Sequence, residues 1–221
     1  MAIPEGAIRY NTDSNKMEVW IGDKWMQVSV THEASPLGGR GLFCGGYTYS
    51  PQTQGNSNVI EYITISTQGN AVDFGDGTQR ERDRRNGAAS QTRGVLAGGT
   101  QGYPSPSLTD RIEFVTIPTA GNATDFGNLT QVKFGPAAAG SRTRAVFMAG
   151  GTPTRLSEVD FVTFSSTGNA ADFGDMTVAR AAGGDAGHSS ETRAILAAGS
   201  TPSSDENDTI DFITIASTGN G

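Results

Sequence analysis

The stretch Arg93-Gly94-Val95-Leu96-Ala97-Gly98-Gly99, followed by Ile112-Glu113-Phe114-Val115-Thr116-Ile117 and then by Gly121-Asn122, decides the fold, because it is written almost four times. Its opening recurs as Arg40-Gly41-Leu42-Phe43, Arg144-Ala145-Val146-Phe147 and Arg193-Ala194-Ile195-Leu196. Successive openings lie 53, 51 and 49 residues apart. The Gly-Asn marker recurs at Gly69-Asn70, Gly168-Asn169 and Gly219-Asn220, at spacings of 52, 47 and 51. A unit of this length is too long for one coil of a β-solenoid and has the size of a propeller blade.

Within the unit 93–143, residues 93–97 form a short apolar strand that ends in a Gly doublet. A polar loop with proline follows at 100–110, then the mostly alternating, buried strand 112–117. Residues 123–127 read as a third strand and 129–134 as a fourth. A Ser-x-Thr-Arg connector, seen at Ser90, Ser141 and Ser190, opens the next unit. No segment carries a helical period with caps, so the expected class is all-β. Small residues around the strand ends, such as Ala97, Gly98, Ala149 and Ala198, suit crowded inner strands near a narrow axis.

Composition agrees with one repeat-built body rather than disorder. The chain has 221 residues with 30 Gly and 9 Pro, placed at fixed offsets as turns. Its net charge of −7 argues against non-specific nucleic-acid binding, which needs basic stripes. The basic run 80–85 is interleaved with acids and reads as a solvated loop. The single cysteine, Cys44, allows no intrachain disulfide and reads as a small buried hydrophobe. Residues 1–6 lack the basic and apolar regions of a leader, so none is expected, and no apolar run is long enough to span a bilayer.

The first 35 residues depart from the repeat. Segments 7–11, 16–21 and 24–30 read as an antiparallel meander that holds both tryptophans, Trp20 and Trp25. The last unit, 193–221, stops after its second strand. An open ring exposes strand edges. The expected architecture is therefore a small propeller of about four blades (40–92, 93–143, 144–192 and 193–221), with the last blade completed by strands from residues 1–35. The rival reading makes residues 1–35 an independent anchor on an incomplete array 36–221.

The strand, Gly doublet, loop, alternating strand and downstream aromatic resemble the kelch repeat of β-propellers. Gly45-Gly46, Gly98-Gly99 and Gly150-Gly151 match the family's diglycine, and the fourth unit has Ala198-Gly199. The aromatic pairs Tyr62/Phe74, Phe114/Phe126 and Phe161/Phe173 stand twelve residues apart, farther than the Tyr and Trp of kelch proteins. A second resemblance bears on biology. Gly6-Ala7-Ile8-Arg9-Tyr10-Asn11-Thr12, with Met17-Glu18-Val19-Trp20 and Lys24-Trp25, is similar to segments of bacteriophage tail-fibre and other virion proteins. The phrase Thr-Gly-Asn-Ala-x-Asp-Phe-Gly-Asp-x-Thr at 167–177, with variants at 67–78 and 119–130, resembles repeats in structural proteins of phages of marine cyanobacteria. These resemblances imply a virion component, assembled in the host cytoplasm, whose partners are other virion proteins, with homo-oligomers allowed.

The residues singled out as structural are one Arg per unit (Arg40, Arg93, Arg144, Arg193) and the Asp-Phe pairs Asp73-Phe74, Asp125-Phe126 and Asp172-Phe173. The Arg is expected to tie adjacent blades through carboxylates or carbonyls, since its planar fork suits both. The Phe is expected to pack between blades beside an Asp that bonds turn amides. Asp-Phe-Gly also spells a kinase triplet, but the phosphate loop, strand lysine and catalytic loop are missing. The acids at 73/76, 172/175 and 205–208 lack the ligand order of a calcium loop. His32 and His188 have no metal-ligand partner at close spacing. No cofactor, metal or catalytic site is expected, and a propeller glycosidase with two positioned carboxylates is the enzymatic outlier. The loops 47–58, 100–110, 152–157 and 201–208, with Tyr47, Tyr49 and Tyr103, are the candidate binding surface. They suit protein contacts, or in the alternative reading a host-surface glycan or protein.

Overall fold

The computed structural model describes residues 3–14, 16–28, 39–48, 55–82, 87–101, 107–181, 187–203 and 207–221. It divides the chain into two compact units, Met1–Pro36 and Leu37–Gly221. All regular structure among the described residues is β, in several small antiparallel sheets.

The N-terminal unit is the meander β1 (Ile8–Asn11), β2 (Lys16–Ile21) and β3 (Lys24–Gln27). Its register sets Trp20 opposite Trp25, and the two rings meet edge to face at 5.3 Å. Arg9 lies over the Trp25 ring at 4.2 Å and pairs with Glu18 at 2.7 Å. Hydrogen bonds from Asn11 and then Arg9 hold the Glu18 carboxyl below its ordinary range. Gly22 makes the β2–β3 turn at φ 68°, where a side chain is strained.

In the larger unit, the first sheet is built on β4 (Arg40–Thr48), β5 (Gly55–Thr64) and β6 (Val72–Arg82). The second is a four-stranded meander of β7 (Gly87–Ala89), β8 (Arg93–Ala97), then β11 (Arg111–Thr116) and β12 (Thr124–Asn128). Between β8 and β11, the short strands β9 (Thr100–Gln101) and β10 (Ser107–Leu108) leave their own sheet and extend the first one, β9 pairing with β6. The third sheet repeats the meander with β13 (Ala137–Gly140), β14 (Arg144–Met148), then β17 (Glu158–Thr163) and β18 (Ala171–Asp175), and the hairpin β15 (Gly151–Thr152) and β16 (Thr154–Arg155) fills the intervening loop. The fourth has β19 (Gly187–Ser189), β20 (Arg193–Ala197) and β21 (Ile210–Thr214). Among the described residues these sheets form neither a closed barrel nor a closed ring of blades.

Two readings of the sequence shift. The segment 129–134 is not a strand; it holds only an isolated bridge from Phe134 to Gly151. The fourth strand of each meander instead precedes the Arg, because the Ser-x-Thr-Arg connector is a tight hairpin turn: the Ser141 hydroxyl accepts from Thr143 N and Arg144 N, as Ser90 and Ser190 do in their units. The second, third and fourth sheets therefore begin one strand before the Arg, whereas the described strands of the first begin at Arg40 itself. The Gly doublet shifts too. Gly98 and Gly99 have φ of 67° and 112°, and the matching pair in the third sheet is Ala149-Gly150 at 61° and 112°, not Gly150-Gly151.

The sheets stack in chain order, and the core lies between them. Leu42, Ile60 and Phe74 of the first sheet meet Val115 and Ala123 of the second. Val95, Ile112 and Phe126 of the second meet Ala145, Phe147 and Val162 of the third. Val146, Val159 and Phe173 of the third meet Ala194, Leu196 and Ile213 of the fourth. Alternate residues of each central strand thus face opposite neighbours, which is why these strands read as nearly continuous apolar runs.

Gly127, at φ 149°, has no room for a Cβ, which would fall on the Gly168 carbonyl of the next sheet. Gly127→Ala is expected to cost about 2 kcal/mol or more in urea unfolding. Ala198, exposed at φ 59°, is the opposite case: Ala198→Gly is expected to gain up to about 1 kcal/mol by relieving a left-handed Cβ. Equal effects of the two changes would refute this account.

Candidate functional site: the joint between repeats

The repeated residues converge on the joints between sheets. Each Arg lies over the aromatic ring of its own sheet: Arg40 over Tyr62 at 4.6 Å, Arg93 over Phe114 at 4.6 Å, Arg144 over Phe161 at 4.9 Å and Arg193 over Phe212 at 4.7 Å. Three of them also reach the following sheet. Arg40 Nη1 donates to the Ile117 carbonyl at 2.7 Å, Arg93 Nη1 to Phe164 at 2.7 Å, and Arg144 Nη1 to Ile215 at 3.1 Å and Ala216 at 3.0 Å. The partner atoms are carbonyls rather than carboxylates. A charged donor on a half-buried carbonyl contributes about 1.5–3 kcal/mol, and the ring contact roughly 0.5–1 kcal/mol more.

The second aromatic completes the stack. Tyr62–Phe74, Phe114–Phe126 and Phe161–Phe173 meet edge to face at 5.9, 5.9 and 5.8 Å. The Phe residues at 74, 126 and 173 are buried at the joints. The accompanying acids Asp73, Asp125 and Asp172 are exposed, and Asp172 accepts from the Gly174 amide at 3.1 Å.

The Gly-Asn marker docks its backbone on the preceding sheet. Gly121 N donates to Phe74 O at 2.7 Å and Ala123 N to Asp76 O at 2.8 Å, while the Asn122 side chain accepts from Asp76 N at 3.0 Å. Gly168, Ala170 and Asn169 repeat this on Phe126 and Asn128, and Gly219, Gly221 and Asn220 repeat it on Phe173 and Asp175. The glycine of Asp-Phe-Gly permits that approach: a Cβ on Gly75 would lie 2.5 Å from Gly121 O, and one on Gly174 2.7 Å from Gly219 O.

A buried polar cluster completes each joint. Asp160 receives the Thr130 hydroxyl at 2.5 Å and pairs with Lys133 at 2.7 Å, with both charges fully buried. Asp211 receives Thr177 at 2.5 Å and pairs with Arg180 at 2.8 Å. At the first joint Glu113, also buried, accepts from Thr78 N at 2.6 Å. Nearby Glu158 is pushed up by burial, but the Gln131 hydrogen bond, the Lys133 charge and Thr130 outweigh this and leave it below its ordinary range. Sequence reasoning passed over these acids. Their signal is an acid directly before each second-strand aromatic: Glu61-Tyr62, Glu113-Phe114, Asp160-Phe161 and Asp211-Phe212.

The candidate binding loops are described in part. Tyr47 lies next to the end of β4 with its side chain exposed, whereas Tyr49 and Tyr103 lie outside the described residues, as does His32. No helix among the described residues is long and apolar enough to cross a membrane. No protein-family model and no curated protein matches this chain.

Arg144→Ala is expected to lower the thermal midpoint by about 4–8 °C, from the loss of roughly 2 kcal/mol; an unchanged midpoint would remove the Arg from the joint. Asp160→Asn is expected to cost about 3–5 kcal/mol by stranding Lys133, and the pair Asp160→Leu with Lys133→Met much less. Additive losses in urea unfolding would contradict a coupled pair.

Proposed function

We propose that this chain is a non-enzymatic structural component of a bacteriophage virion, in the tail, neck or fibre apparatus or on the capsid, where it acts as a rigid protein-interaction module. The observation that carries the reading is the use of the repeated residues. The Arg, the Gly-Asn turn, the glycine of Asp-Phe-Gly and the buried acid all join one sheet to the next. A chain whose recurrent polar residues hold its own stack together is built as a platform, and its variable loops are left for recognition. The segments at 6–12, 17–25 and 167–177 supply the virion setting through their resemblance to phage structural proteins.

The meandering sheets are read as blades of a kelch-like propeller of about four blades. A single-chain ring, with residues 1–35 completing the last blade, is one way to cover the fourth sheet, and its signature in solution is a monomer. Exposure of Tyr47 favours a second reading, a host-surface or carbohydrate-binding module. Glycan-array binding that is lost in Tyr47→Ala would support that reading, and silence across a broad array would count against it.

Virion membership is tested by antibodies raised against the chain and applied to purified particles of a phage that encodes it. Labelling at the tail, neck, fibres or capsid is the expected result. Unlabelled particles, with the protein found only in the infected-cell lysate, would overturn the reading.

A further inference from the structure

The two outer faces of the stack are the two halves of the interface used inside it. On the fourth sheet the outward positions are Arg193, Ile195, Ile210 and Phe212, with the three apolar side chains 39, 70 and 51 % exposed. The same register positions of the second sheet are Val95 and Ile112, and of the third Val146 and Val159, all at 0 %. On the first sheet the outward positions include Phe43 and Ile65, 55 and 68 % exposed. Their counterparts in the third sheet are Phe147 and Phe164, at 0 and 3 %.

The polar parts match as well. Arg193 already lies over Phe212, posed as Arg93 and Arg144 are when they reach the next sheet. The carbonyls those two approach belong to Phe164 and Ile215, whose amides donate to Thr143 O and Thr192 O. In the first sheet the residue in that position is Ile65, whose amide donates to Gly39 O.

We infer that the fourth sheet of one copy docks on the first sheet of a second copy, head to tail. Arg193 donates to the Ile65 carbonyl, and Ile210 and Phe212 cover the apolar face carrying Phe43 and Ile65. The inference rests on reading the stack as an interaction module, and its mate is a second copy because three internal joints already show these two faces accepting one another. Among the described residues β21 has no fourth strand beside it to receive the Gly69-Asn70 turn. The contact between copies therefore has fewer backbone bonds than the internal joints, and it forms with rising protein concentration. Such a heterologous contact propagates into rings or filaments.

The test uses the full chain and two variants, Phe212→Asp and Ile65→Asp, each at an exposed side chain. Mass is followed by light scattering and sedimentation over roughly a hundredfold concentration range, with thermal unfolding to confirm that each variant is folded. The wild type is expected to gain mass with concentration and each variant alone to remain monomeric. A mixture of the two is expected to form a one-to-one dimer, because each retains one intact and complementary face. A monomeric wild type overturns the inference and favours the single-chain ring. Association that survives both variants, or a mixture that stays monomeric, overturns it too. Assembly in solution together with unlabelled virions would sink the virion reading and leave this one standing.

Discussion

The fold depends on a sheet accepting the bare backbone of its neighbour. At three successive joints a Gly-Asn turn sets two amides and one side-chain oxygen against the strand that carries Asp-Phe-Gly. Only a strand with a glycine there can be approached so closely. Hydrophobic slabs supply the bulk of the attraction between sheets, but they are not directional. The backbone bonds and the Arg-to-carbonyl bond fix how far each sheet slides over the last. With the offset fixed, the aromatic pair and the alternating central strands fall into place.

The buried acid-base pairs add a second kind of order. Lys133 with Asp160, and Arg180 with Asp211, sit where apolar residues would stabilise as well or better. A mispaired sheet would bury one of these charges alone, at a cost of several kcal/mol. In a chain whose four units share the same central pair of strands, such pairs discriminate between neighbours that hydrophobic packing treats as equivalent.

Much of this was legible in the sequence, and the illegible part has physical causes. The Arg, the Phe of Asp-Phe-Gly and the Gly-Asn marker recur at fixed offsets, and all but Arg193 and Gly69-Asn70 lie at joints between sheets. The period shows what repeats without showing where a sheet begins. Ala137–Gly140 is too short and too plain to read as a strand, so its pairing with Arg144–Met148 was hidden. The diglycine of the third unit was read one residue late, because Ala149 takes the left-handed position that glycine takes elsewhere. The crossing of Thr100–Gln101 into the first sheet is a long-range pairing that no local pattern encodes. The acids at 113, 160 and 211 were passed over, since burial of a charge is decided by a partner from another unit.

The short strands that precede Arg93, Arg144 and Arg193 have a geometric consequence. Gly87–Ala89, Ala137–Gly140 and Gly187–Ser189 lie directly against one another in succession, with no space for a Cβ on Gly187 beside Ala138 O. At the opposite edge a whole turn is lodged between consecutive sheets. Along the margin of the short strands the second, third and fourth sheets touch directly, whereas along the aromatic margin the Gly-Asn turn stands between them. A larger residue at Gly187 would force the short-strand margin apart while the turns held the other, so the angle between successive sheets depends on how small the residues of this short-strand margin stay.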